Sequence, residues 1–238
     1  VGIYDLGLKV SNQGTIIITS LYNSFIPNFY DQLNKKIPGY KTTLPNSLMK
    51  SFGIYFLVLL FISFFSFEIF YITTPKTFHE AINISSIIAV TLSFNFIEYI
   101  PVLLFLKKTH LITYLSVATS IMILIAGIIF GIQYGIYGFI LSNLIFGFFT
   151  SIIYFTVYQK NLKLNWPLKK IIIIYSYLLV SSGTVIIFRI IEIDYIIRLL
   201  IKISLIIGSL IILTRLKVFI KEDFIFIYKR IKPLFMSR

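Results

Sequence analysis

The chain has 238 residues, of which 58% are hydrophobic and 13% charged, with a net charge of +13 and no cysteine. Soluble domains carry roughly 25% charged residues, and a chain this short has too little interior to hide so much apolar surface, which excludes an ordinary water-soluble globule. The missing cysteines exclude disulfides, thiolate metal sites and cysteine nucleophiles.

A membrane-spanning helix needs about 20 largely apolar residues, because the hydrocarbon core is ~30 Å thick. Seven runs meet that length. The first, 3–30, is the most polar and holds Lys9, Asn12 and Gln13. The second, 48–72, is rich in Phe and Leu. The third, 82–106, contains Asn95, Glu98 and Pro101. The fourth and fifth, 111–132 and 137–158, are separated by a glycine-containing turn. The sixth and seventh, 169–188 and 195–216, form a terminal pair. The predicted fold is therefore all-α: a polytopic transmembrane bundle of seven spans, with five helices in 1–158, a pair in 159–216 and a basic tail over 217–238. That tail mixes apolar and basic residues, and reads equally as an amphipathic helix on the membrane surface or a frayed terminus. Outer-membrane strands are ~10 residues of alternating polarity. These runs are two to three times longer and do not alternate.

The connections carry the direction. Lys35, Lys36, Lys41 and Lys50 follow the first span, and Lys107 and Lys108 the third. Lys160, Lys163, Lys169 and Lys170 follow the fifth. Arg215, Lys217, Lys221, Lys229, Arg230, Lys232 and Arg238 follow the seventh. The intervening connections hold only Lys76, Arg189 and Arg198. Every second connection is basic, which by the positive-inside rule starts Val1 outside and ends Arg238 in the cytoplasm. The same placement assigns the basic surplus to anionic headgroups rather than nucleic acid. The chain opens on Val1 with no signal peptide. An outside start also needs an odd number of crossings upstream in a protein that begins in the cytoplasm. Both features read as a chain whose N-terminal portion is missing.

Three stretches carry a resemblance. Val1-Gly2-Ile3-Tyr4 followed by Leu8-Lys9 is similar to a "GxY…YK" segment. Asn23-Ser24-Phe25-Ile26-Pro27-Asn28-Phe29-Tyr30 is similar to a helix end where Pro precedes an aromatic. Ile132-Gln133-Tyr134-Gly135-Ile136-Tyr137-Gly138 is similar to a "P-x-YG-x-x-G" turn, although the leading Pro is replaced and Phe139 and Ile140 stand where small residues are usual. Together they resemble the Wzx-type polysaccharide (O-antigen) flippases of the multidrug/oligosaccharidyl-lipid/polysaccharide exporter superfamily. The resemblance spans the first five helices by motif and the last two by position. It implies helices eight to fourteen of a fourteen-helix, two-lobe transporter in the bacterial inner membrane. It also implies an undecaprenyl-diphosphate-linked oligosaccharide as substrate, the missing N-terminal half and membrane lipid as partners, and contact with polysaccharide polymerase machinery.

Ionisable groups inside apolar runs are the candidate functional residues, because charge at bilayer depth costs ~2.5–3.5 kcal/mol or more. Lys9, with Asn12 and Gln13 about one turn away, is a candidate for lining a substrate cavity. There it would meet a diphosphate or acidic sugar; snorkelling to the interface is the alternative. Glu98, with Asn95 one turn before it, is a candidate for H⁺ or Na⁺ coupling, with carbonyls freed near Pro101 as further ligands. Pairing to a cytoplasmic lysine is its alternative. Pro27 and Pro101 are candidate hinges or fixed kinks, and Gly135 and Gly138 are backbone devices for a tight turn. Glu68 reads as interfacial. Lys202 lies in the seventh span, and the resemblance makes that helix peripheral. His79 and His110 are far apart, so no local metal site is expected, and no catalytic residue or cofactor is either. The functions left open are flipping of lipid-linked glycan, drug or cation export, and, less favoured by the short outer connections, a membrane polymerase or glycosyltransferase.

Overall fold

A computed structural model describes residues 2–35, 37–97, 101–191 and 193–220. Glu98, the expected ion-coupling carboxylate, lies outside the described residues, as do Glu192 and the tail from 221 onward. The elements among the described residues are helical: α1 (Gly2–Asn34), α2 (Tyr40–Thr73), α3 (Ala81–Phe94), α4 (Val102–Phe105), α5 (Thr109–Leu162), α6 (Leu168–Ile190) and α7 (Tyr195–Arg215), with short 3₁₀ turns at Lys76–Phe78 and Asn95–Ile97.

Five stretches are long and apolar enough to cross a membrane: Tyr40–Thr73, Ala81–Phe105, Thr109–Leu162, Leu168–Phe188 and Tyr195–Arg215. The chain is thus a multi-pass helical membrane protein. α1 is not among the five, because one whole face of it is polar.

The bundle is organised around α3, which packs against α1, α2, α5 and α6. Serines allow the closest approaches. Ser11 Oγ of α1 donates to the Ser85 carbonyl of α3 at 2.9 Å and meets Ser85 Oγ at 3.1 Å. On the opposite contact, Ser86 Oγ donates to the Ser63 carbonyl of α2 at 3.0 Å and meets Ser66 Oγ at 2.7 Å. In lipid the apolar effect does not draw helices together, so small residues and interhelical hydroxyl bonds carry the association. Gly7 and Gly14 extend the small stripe of α1: a Cβ on Gly7 would lie 2.7 Å from Ile84, and one on Gly14 2.8 Å from Leu59. Beyond them the same stripe becomes large and apolar (Ile18, Tyr22, Phe25, Phe29, Leu33) and enters the main core.

α5 is 54 residues long but not straight. Gly135 sits at φ 62°, ψ −144°, a conformation that glycine adopts readily and other residues rarely do. The arms on either side, 109–134 and 136–162, run antiparallel. Lys108 Nζ reaches Asn161 Oδ1 at 2.6 Å, Gly127 faces the Phe139 ring, and Gly138 lies against the Phe130 carbonyl so closely that a Cβ there would collide with it. Gly135 provides the turn and Gly138 the close approach that follows.

Within the run expected as one span over 82–106, α3 ends at Phe94 and gives way to the 3₁₀ turn Asn95–Ile97, and the short helix α4 begins at Val102, directly after Pro101. Proline lacks an N–H and is tolerated at a helix start, where that group has no intrahelical partner.

Candidate functional site

The 3.6-residue period sorts α1 into two faces. Its buried residues are Gly7, Ser11, Gly14, Ile18, Tyr22, Phe25, Phe29 and Leu33. Its exposed side carries Asp5, Lys9, Asn12, Gln13, Ser20, Asn23, Ser24, Asn28, Asp31 and Asn34, with Ile16 and Pro27 as the apolar members. This polar stripe runs for about 40 Å of helix at 1.5 Å per residue. Elsewhere the exterior is what lipid requires: the first arm of α5 exposes Val117, Ile121, Leu124, Ile125, Ile128 and Ile132. A row of ion pairs and amides facing hydrocarbon is costly even where its members bond one another, so the α1 face is built for water or for protein.

Lys9, Asn12 and Gln13 all lie on this stripe. Lys9 Nζ is 2.8 Å from Asp5 Oδ2, one turn earlier, with side-chain exposures of 72% and 52%. An ion pair so open to solvent stabilises little and is readily exchanged for another anion. Gln13 Nε2 donates to the Lys9 carbonyl at 3.4 Å, and the Asn12 side chain points outward. Lower on the stripe, Asp31 pairs with Lys35 at 2.8 Å, and Gln32 links Asn28 of α1 to Thr43 of α2 through two 3.0 Å bonds. Pro27 lies on the exposed side, where its missing N–H bond is turned away from the core.

Beside the stripe is a chamber of about 250 Å³ between α1, α3 and both arms of α5. Tyr4 and Leu8 form its α1 wall, and Thr91 and Asn95 its α3 wall. Ser116, Thr119, Ser120, Asn143 and Thr150 belong to α5. None of the described residues lining it is charged. Asn95 thus shares a chamber with Asn143 and Thr150, which are remote in sequence.

The broken end of α3 is held from four sides. Tyr22 of α1 donates to the Phe96 carbonyl at 2.7 Å, Tyr55 of α2 to the Leu92 carbonyl at 2.8 Å, and Tyr175 of α6 to the Ser93 carbonyl at 2.8 Å. Ser151 of α5 donates to the Phe94 carbonyl. A helix end leaves its last carbonyls without intrahelical donors, and inside a membrane protein those groups need other donors. Four different helices supply them, beside the Asn95 N–H that the Leu92 and Ser93 carbonyls share, which fixes Asn95 against the chamber.

One charged pair was missed in the sequence. Lys202 Nζ of α7 contacts Glu68 Oε1 at 2.6 Å and Oε2 at 2.8 Å, with side-chain exposures of 5% and 16%. Glu68 thus pairs across to α7, and Lys202 faces protein. The available signal was complementarity: an acid and a base, each set within an apolar helix, have every reason to pair. Arg198, one turn before Lys202, lies over the Phe67 ring at 5.2 Å and the Tyr195 ring at 5.9 Å. Among the described residues no group of His, Asp and Glu is gathered to hold a metal ion.

In comparisons with protein-family models, curated proteins and solved structures, nothing matches this chain.

Proposed function

We propose that the chain is one lobe of a two-lobe transporter that flips undecaprenyl-diphosphate-linked oligosaccharide across the bacterial inner membrane by alternating access, for surface polysaccharide assembly. The observation that carries this reading is the polar stripe of α1. A wall of amides, hydroxyls and two exchangeable Lys–Asp pairs, running the length of a helix, fits one side of a hydrated passage. The glycan headgroup would travel along that wall while the lipid tail stays in the bilayer. Lys9 is the phosphate-binding candidate, with Asn12 and Gln13 beside it. Glu98, together with Asn95, is proposed to couple H⁺ or Na⁺ to the rocking of the lobes.

In this reading the bundle crosses the membrane seven times: α1, α2, α3 with α4, each arm of α5, α6 and α7. The loop charges support the direction. Lys41, Lys108 and Lys163 gather at one end, where Asn165 N–H donates to the Lys41 carbonyl at 2.9 Å and Lys108 reaches Asn161. The positive-inside rule puts that end in the cytoplasm, and the C-terminus with it. The other wall of the passage belongs to the N-terminal half, and polysaccharide polymerase machinery would receive the product.

Export of organic cations is less well served, because a cation needs unpaired carboxylates. Asp5 and Asp31, the acids of the described stripe, are each bridged by a lysine. The test is a strain deleted for the intact protein. Lipid-linked glycan confined to the cytoplasmic leaflet, and released to the outer leaflet on complementation, is the expected result. Single lipid-linked repeat units displayed outside in the deleted strain would instead identify a polymerase and sink the flippase reading.

A further inference from the structure

We infer that the chamber between α1, α3 and the two arms of α5 is a binding site for one uncharged, polyhydroxylated ring, such as a neutral pyranose, distinct from the charged wall at Lys9. This rests on the transport reading for where the ring comes from, but not for the binding itself.

Size comes first. About 250 Å³ is the room of roughly eight waters at ~30 Å³ each. It falls below the ~300–1,000 Å³ typical of sites for drug-sized ligands. A single sugar ring fits that room; a whole oligosaccharide does not. A bare cation would leave most of it empty, and no carboxylate lines it among the described residues.

The chemistry of the lining agrees. Asn143 Nδ2 donates to its own helix at the Phe139 carbonyl, 3.0 Å away, which leaves its Oδ1 as an acceptor toward the chamber. Asn95, Ser116, Ser120 and Thr150 make no side-chain hydrogen bond to a described residue. An amide offers a donor and an acceptor side by side, and a hydroxyl offers either. Vicinal sugar hydroxyls present the same alternation, while a phosphate or carboxylate presents acceptors alone. The Tyr4 ring gives an apolar surface for the C–H face of the sugar. Thr150 is buried, so its hydroxyl has bulk water as a partner only if the chamber is filled.

The test uses the full chain in detergent, with methyl α-glucopyranoside as the neutral probe, glucuronate and glucosamine as charged ones, and sodium chloride alone as the ion control. Saturation-transfer NMR on the unaltered protein reports binding. Protection of a Ser120→Cys thiol from a maleimide reports the place, with no background because the chain has no other cysteine. We expect saturable binding and protection by the neutral glycoside, weakened roughly tenfold or more in Asn143→Leu/Thr150→Val, since two lost hydrogen bonds are worth about that factor or more. Ser116→Ala, an exposed change that leaves packing alone, should weaken it several-fold if the double variant does not fold. Absence of binding by the unaltered chain, equal binding of the charged sugars, indifference to the variants, or protection by sodium alone would each overturn the assignment. Glycan translocation by the complemented strain without neutral-sugar binding would reject the chamber and keep the flippase. Sugar protection without translocation would do the reverse.

Discussion

Lys202 of α7 and Glu68 of α2 are 134 positions apart in the chain and 2.6 Å apart in the fold. Both side chains are nearly withdrawn from solvent. Their charges were costly to bury one at a time, and together they fasten the last helix to the core. The Phe65 ring of α2, 5.4 Å from Lys202 Nζ, adds a cation–π contact between the same two helices.

Breaking that pair from one side strands a charge. Glu68→Gln or Lys202→Met should each lower stability by about 3–5 kcal/mol, and the double change Glu68→Leu/Lys202→Met should recover most of it, because no unpaired charge remains. Thermal unfolding of the purified protein in detergent measures this. If the double variant is as unstable as the worse single one, the cost lies in packing and not in charge.

The hydroxyls on the end of α3 should act as a set. Tyr22→Phe, Tyr55→Phe and Tyr175→Phe each remove one donor from a carbonyl, for about 0.5–1.5 kcal/mol apiece, because the Leu92 and Ser93 carbonyls keep the Asn95 N–H. Because all three converge on Leu92–Phe96, pairs of these changes should depart from additivity by at least about 0.5 kcal/mol. Strictly additive double mutants would mean that the three bonds act independently.

The α1 stripe makes a prediction about water. With no native cysteine, single thiols can be placed anywhere without background. Asn12→Cys, Ser20→Cys and Asn23→Cys should react with a membrane-impermeant maleimide, whereas Ile121→Cys and Ile125→Cys on the apolar face of α5 should react only with a lipid-soluble one. Equal reactivity at both sets would remove the distinction between a wet wall and a lipid-facing one.

Lys9 tests the flippase reading directly. Loss of a charge-assisted hydrogen bond to phosphate is worth ~1.5–3 kcal/mol, so Lys9→Ala in the intact transporter should cut glycan export roughly tenfold or more. Lys9→Arg should retain most of it. The Asp5 pair is too solvent-exposed for its loss to matter much to folding, so unchanged thermal stability should accompany the transport defect. Full export by Lys9→Ala would exclude the residue from the substrate path.

Much of this protein was readable from its residues in order. The helical character of the apolar runs, the polar character of the first helix and the glycine turn at 135–138 are local properties, set by hydropathy over one window and by the backbone freedom of one residue type. Asn12 and Gln13 could be placed on the face of Lys9 because helical periodicity is local too. The end of α3 was half legible: Pro101 predicts a disturbance, but the 3₁₀ turn at Asn95–Ile97 and its capture by Tyr22, Tyr55, Tyr175 and Ser151 depend on four other helices.

Composition and spacing alone determined that this chain lives in a membrane as a stack of helices, since apolar area and helix length have only one solvent and one geometry that suit them. Tertiary structure decided the pairings. Glu68 found Lys202, and Asn95 was brought to Asn143 and Thr150. Lys9 was turned outward with Asp5 because Gly7, Ser11 and Gly14 took the inward face. Those choices follow from how small-residue stripes let particular helices approach, and a linear pattern does not carry which stripe meets which.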